Sequence, residues 1–330
     1  KLRKGELSGR EVDIDVRDSA NPMGGMLDIP GMPGASMGMI NMNDIFGKAF
    51  GGDRKKRKKM SVEDSYEVLI EEEADKLLDQ DKFSQAAGAF EMALKLDSKN
   101  SQALTGRGLV RAYTSDFRGA KADLDRARTL AVTDTERLLN HTAMIRYYTQ
   151  SRLDGDWLAR SEVEFNEALA IDAENASACY FMGLAYRQAC YFHEAGVMFD
   201  RVARLKSEYL AEALAELAFL RKVQQAMPIT DAGKRIALAD SITRADAAVL
   251  LMRELKIGDL YEQKAPKSIR MNLRGAVPTV TTAGDIANNP WKEDIEGILK
   301  IGVKGLENDP EGNFAPDSFL TRANFAVMLQ

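Results

Sequence analysis

Ala86-Ala-Gly-Ala-Phe90-Glu-Met-Ala93 returns 34 residues later as Ala120-Lys-Ala-Asp-Leu124-Asp-Arg-Ala127. The same small, large, small spacing comes back as Ser161, Phe165 and Ala168, and then as Ala195, Phe199 and Val202. Positions i, i+4 and i+7 share one face of an α-helix, so each copy reads as a helix that buries this stripe against a neighbour. Recurrence at a fixed distance predicts stacked helix pairs. Gly108 and Gly183 fall where the first helix of a pair makes its close approach. Working outward, the first pair begins with a helix over about residues 67–80. The second covers 101–134. The third, 135–175, carries about seven extra residues near 151–157, and the fourth covers 176–207. A long amphipathic helix over 208–227 closes the array with a polar face, as a solenoid end requires.

A 34-residue helix pair with these small and large positions resembles the tetratricopeptide family. The fold expected is mainly α, a tetratricopeptide-type solenoid of about four helix pairs plus a capping helix. The resemblance implies a concave groove lined by the first helix of each unit and filled by a peptide or protein partner. On this register the groove residues are Tyr113, Arg146, Tyr147, Tyr180, Arg187 and Gln188. Aromatic residues with Arg are common anchors for a bound peptide. The other reading of the same residues is packing against an adjacent unit.

Length and composition bound the rest. At 330 residues the chain has room for two or three domains. A formal net charge of -5 gives no general footprint for nucleic acid, so no nucleic-acid partner is expected. No apolar run approaches the roughly 18 residues of a membrane span. The only cysteines, Cys179 and Cys190, sit in one repeat at small buried positions and are expected as buried thiols rather than a disulfide. With only His141 and His193 in the chain, each expected at a helix surface or in packing, no metal site, cofactor or histidine-based catalytic set is expected. The chain opens at Lys1 and stops at Gln330 within an apolar run, so both ends are expected to be cut.

Residues 1–66 differ from the array. Glu11-Val-Asp-Ile-Asp-Val16 alternates polar and apolar residues and suits one short strand. Residues 21–52 are rich in Gly and Met and are expected to be partly disordered. The run Arg54-Lys-Lys-Arg-Lys-Lys59 suits a solvated linker, with contact to nucleic acid or acidic lipid as the other reading. Ser61-Val-Glu-Asp64 has the pattern of a capping box, so a helix is expected to start at Ser61.

Together, Lys1-Leu-Arg-Lys-Gly-Glu-Leu7, Glu11-Val-Asp-Ile-Asp15, Pro22-Met-Gly24, Pro30-Gly-Met32 and Leu69-Ile-Glu-Glu-Glu-Ala-Asp-Lys-Leu-Leu78 resemble the intermediate domain of the HslU family of AAA+ unfoldases over residues 1–81. The resemblance implies a segment that handles substrate polypeptide. In its native context its partners are an HslU-type oligomer or the protease HslV. The nucleotide site of that family lies elsewhere. A phosphate-binding loop needs G-x-x-x-x-G-K-[ST]. The nearest approach, Gly47-Lys48, has Met42 for the first Gly and Ala49 for the hydroxyl. The chain is therefore expected not to be an enzyme. Two families claim the helix over 67–80, and the switch between them falls between Glu72 and Phe83, whether by natural fusion or in a composite chain.

The C-terminal third repeats a second device. Ile242-Thr-Arg-Ala-Asp-Ala-Ala-Val-Leu-Leu251 returns as Leu320-Thr-Arg-Ala-Asn-Phe-Ala-Val-Met-Leu329, the second copy preceded by Trp291, Gly302 and Asp309-Pro-Glu-Gly-Asn-Phe-Ala-Pro316. Residues 228–330 resemble S-layer homology modules, one degenerate copy and one near-complete. That resemblance implies a small helical module binding cell-wall polysaccharide through Thr243, Arg244, Thr321 and Arg322. Capping by Thr with a surface Arg is the plainer reading. Asp309 to Asn313 lacks the alternating acids of a calcium loop and is expected to be a turn. The expected domains are 1–66, 67–227 and 228–330. The expected whole is a non-enzymatic scaffold joined to an envelope-associating module, the alternative being a fragment of an HslU-type unfoldase. The two imply different compartments, cell envelope or periplasm for 67–330 and cytoplasm for 1–81.

Overall fold

The computed structural model of the protein describes residues 11–17, 55–61, 65, 69–70, 74, 77–78, 80–206, 209–264 and 282–321. Helix dominates them. They divide into two compact units: residues 1–185 with 204–209, and residues 186–203 with 210–330.

In the first unit, β1 (Glu11–Arg17) pairs antiparallel with β2 (Lys55–Ser61). The strand expected around Glu11 is present. The basic run expected as a linker is instead β2, because the register sets Asp13 opposite Lys59 and Asp15 opposite Arg57. Unlike charges across a strand pair stabilise it by up to about 1 kcal/mol each. Ser61 closes this strand, so the helix does not begin there. Residues 62–64 of the expected capping box, and the Gly/Met-rich stretch, lie outside the described residues. Ser65, Leu69, Ile70, Ala74, Leu77 and Leu78 are helical.

Then follow α1 (Phe83–Leu96), α2 (Ser101–Tyr113), α3 (Phe117–Leu130), α4 (Asp134–Ser151), α5 (Trp157–Ile171) and α6 (Ala176–Gln188). Starts are marked by caps that satisfy free backbone donors. Asn100 accepts from the Ala103 amide and Asp116 from the Gly119 amide. Thr133 with Glu136 forms a full capping box. The register residues are the core: Ala86, Phe90, Ala93, Ala120, Leu124 and Ala127 are all buried, joined in the first unit by Ala74 and Leu78. The helix that two families claim thus packs with the pairs that follow it. A side chain at Gly106 would collide with the Phe90 ring, and one at Gly108 would sit 2.9 Å from Leu124 Cγ. The extra residues of the third pair lengthen α4 to 18 residues and add a loop that opens at Arg152 in the left-handed region (φ 42°).

Two buried carboxylates tie second helices to first ones. Asp123 accepts from Arg107 and Arg111 at 2.7 to 2.8 Å. Glu164 accepts from Arg128 at 2.6 Å and contacts His141 Nδ1 at 2.8 Å. Burial alone would raise the Glu164 carboxyl, but the hydrogen bonds from His141 and Arg128 overcome it and hold the group below the ordinary glutamate value.

The second unit contains α7 (Phe192–Leu205) up to residue 203, then α8 (Leu210–Ala226), α9 (Asp231–Ala237) and α10 (Arg244–Val249). A π-helical turn (Leu250–Glu254), α11 (Ile257–Lys264) and α12 (Lys292–Ile301) follow. Ala195, Phe199 and Val202 are buried in α7. A separate apolar cluster forms from Ala245, Ala248, Ile286, Ile295, Ile298, Leu306 and Phe314. Arg253 holds the buried Asp294 with both nitrogens and lies 4.9 Å from the Trp291 ring centre. The two Thr-Arg-Ala copies meet at their leading residues: Thr243 bridges antiparallel to Phe319, and Ile242 O accepts from the Leu320 amide. Asp309 Oδ1 accepts from the Asn313 amide, which makes this segment a turn. Both cysteines are free thiols. Cys179 is buried as expected; Cys190 is not, being half-buried at a left-handed corner (φ 63°) before α7. Among the described residues no helix is long and apolar enough to cross a membrane.

Candidate protein-docking face

Three first helices of the first unit each contribute to one half-buried row. Tyr113 ends α2, Arg146 lies in α4, and Tyr180 and Phe181 lie in α6. Phe83 stacks on Tyr113 with ring centres 5.3 Å apart. Arg146 Nε donates to the Tyr113 hydroxyl at 3.1 Å, and its guanidinium lies 5.4 Å from the Tyr113 ring centre and 4.4 Å from that of Phe181. Tyr180 stacks on Tyr209 at 4.8 Å, with Phe181 edge-on to the same ring. A cation held between two aromatic faces is worth roughly 0.5–2 kcal/mol, more as it is desolvated. The row therefore locks successive pairs together while leaving a partly open aromatic surface.

Of the six expected groove residues, the structure gathers Tyr113, Arg146 and Tyr180 here. Tyr147, expected on the exposed face, is buried and turns to a cavity of about 190 Å³ lined by Lys121, Tyr148, Trp157 and Arg160. Burial pushes its hydroxyl above the usual tyrosine value. Arg187 and Gln188 belong to the second unit, beside a cavity of about 300 Å³ with Phe219, Leu238 and Asp240. There Arg187 Nη1 donates to both Glu216 oxygens at 2.6 and 2.7 Å. Sequence reasoning missed Phe83, Phe181 and Tyr209. Phe181 follows Arg146 by 35 residues, as Arg146 follows Tyr113 by 33, so the period alone could have found it.

The C-terminal candidates have other work. Thr243 caps α10, accepting from the Asp246 amide while the Asp246 carboxylate accepts from the Thr243 amide. Arg244 donates to three backbone carbonyls, Phe314 at 2.8 Å, Gly305 at 2.9 Å and Glu307 at 2.7 Å, and burial lowers its pKa. Thr321 is exposed, and Arg322 lies outside the described residues. Among the described residues no group of three or more metal-ligating side chains converges.

These features define a mainly helical protein of buried helix pairs with an aromatic face and a short charged ribbon. No family model matches the chain. One segment is similar to the ATP-dependent protease ATPase subunit HslU. It is 58% identical over 87 residues to that of Ruegeria sp. (strain TM1040), covering 26% of this chain and 20% of the relative. For Rhodospirillum centenum the identity is 58% over 81 residues, 24% of this chain and 18% of the relative. For Rickettsia akari it is 48% over 87 residues, 26% and 19%. The chain spans about a fifth of the length of the curated relatives it matches.

Proposed function

We propose that the HslU-like segment handles substrate polypeptide in an ATP-dependent protease system, without a nucleotide site of its own. The carrying observation is identity of 48–58% over a quarter of the chain to subunits of that name. In that setting its partners are an HslU-type oligomer or HslV. Added in excess to a purified HslU-type unfoldase with its protease, the chain should change the rate at which a folded substrate is degraded; an unchanged rate overturns the reading. The pure chain should release no phosphate from ATP above background. Turnover near the ordinary enzyme range of about 1 s⁻¹ would overturn its assignment as a non-enzyme.

A second reading, a tetratricopeptide-type docking scaffold over the helix pairs, is favoured by the row from Phe83 to Tyr209. Peptides selected on the chain should weaken at least about tenfold with Arg146→Ala, since both flanking rings lose their cation. Binders indifferent to that change would place docking elsewhere. The polysaccharide reading of residues 228–330 draws no support from Arg244, whose donors turn to the protein's own carbonyls.

A further inference from the structure

Strand β2 reads Lys55-Lys-Arg-Lys-Lys-Met-Ser61, with five cations in succession. Its partner β1 supplies three carboxylates, Glu11, Asp13 and Asp15. Asp13 and Asp15 oppose Lys59 and Arg57, whereas Lys58 opposes Ile14, Lys56 opposes Val16 and Lys55 opposes Arg17. Three of the five cations therefore have no carboxylate across from them, and one of these three opposes a like charge. Among the described residues the sheet contains only these two strands. A two-stranded ribbon is marginal in water, and a third strand adds support. In an antiparallel pair every second residue of β2 turns its N–H and C=O away from β1, so an edge with free backbone groups coincides with surplus positive charge.

We infer that the outer edge of β2 captures an extended acidic polypeptide by strand addition. Main-chain hydrogen bonds supply the affinity in such pairing, and alternate side chains supply the choice of partner. Positions 56 and 58 share a face of the sheet, so the favoured segment carries acids at every second residue. The edge of β1 offers no matching excess, because Asp13 and Asp15 are already opposed by cations. The inference rests on the substrate-handling reading above and names the chemistry of the polypeptide handled.

The experiment uses the full chain and a short fluorescent peptide that alternates glutamate with valine. Three further probes accompany it: the same peptide N-methylated at alternate residues, a block-ordered peptide of identical composition, and single-stranded RNA of equal charge. Strand addition expects the alternating peptide to bind best. It also expects N-methylation to remove binding by deleting main-chain donors, and Lys56→Glu with Lys58→Glu to weaken it about tenfold. Equal binding of the methylated or block peptide reduces the site to a bare polycation and overturns the inference, as does tighter binding of the RNA. The methylated probe uses the unaltered protein, so the result does not depend on the variant folding. Peptide binding without any effect on an HslU-type unfoldase would sink the protease reading alone; the reverse would sink strand addition alone.

Discussion

At the scale of single residues, the charged groups that carry most weight are the ones withdrawn from solvent. Arg244 read as a surface charge after a helix cap, yet its guanidinium reaches carbonyls that lie 61 to 70 residues ahead in sequence. Periodicity carries no information about such distant acceptors. Arg244→Ala strands those carbonyls and should destabilise the second unit by about 3 kcal/mol in denaturant melts. Arg244→Lys should recover little, since an ammonium cannot span the three acceptors. Full stability in the lysine variant would mean the carbonyls gain nothing from the fork. Glu164 gives a pH prediction with a definite sign. Its folded pKa lies below the ordinary 4.5, so its stabilisation is present above 4.5 and is lost as pH falls through the folded value. Glu164→Gln should cost about 2 kcal/mol at neutral pH, and the gap from wild type should close under acid. A gap constant from neutral pH to below 4 would show that the charge is not what Arg128 and His141 stabilise.

At the scale of elements, the small and large positions of the 34-residue register were legible because burial imposes them directly. Ala86, Phe90, Ala120 and Leu124 are shaped by the crossing of two helices, and that crossing recurs. Strand β2 was not legible. A run of lysines reads as solvated until the acidic strand opposite is known, and their pairing spans some 40 residues. The aromatic row was half legible, since the period locates a helix face but does not decide between neighbours such as Tyr180 and Phe181. Two glycines test the packing argument. Gly106→Ala gains up to about 1 kcal/mol of helix propensity, but its Cβ meets the Phe90 ring, and overpacking costs about 1–3 kcal/mol, so a net loss is expected. Gly88→Ala, on the exposed side of α1 with nothing within 4 Å, should stabilise by about 0.5–1 kcal/mol. Thermal melts of the two variants should move in opposite directions. A shift of the same sign in both would refute the close approach of α1 and α2.

At the scale of the whole chain, the question is which part owns the helix that two sequence patterns share. Ala74 is fully buried and Leu78 is 5% exposed, both in the cluster formed with Ala86, Phe90, Leu109 and Leu124. Ile70 and Leu77 pack against that cluster from the same helix. The helix is therefore structurally part of the first pair, whatever the origin of its sequence, and the HslU-like segment ends inside the core of the array. Two truncations separate the possibilities. A chain starting at residue 65 keeps the helix and should retain the melting behaviour of the first unit. A chain starting at residue 82 loses one buried leucine and three partly or fully buried apolar neighbours, exposing Phe90 and Ala86. At about 1.5–3 kcal/mol for each large apolar side chain, the loss should reach roughly 4 kcal/mol, a large share of the stability of a typical domain. Equal melting of both truncations would assign the helix to the segment before it and leave the array to begin at Phe83.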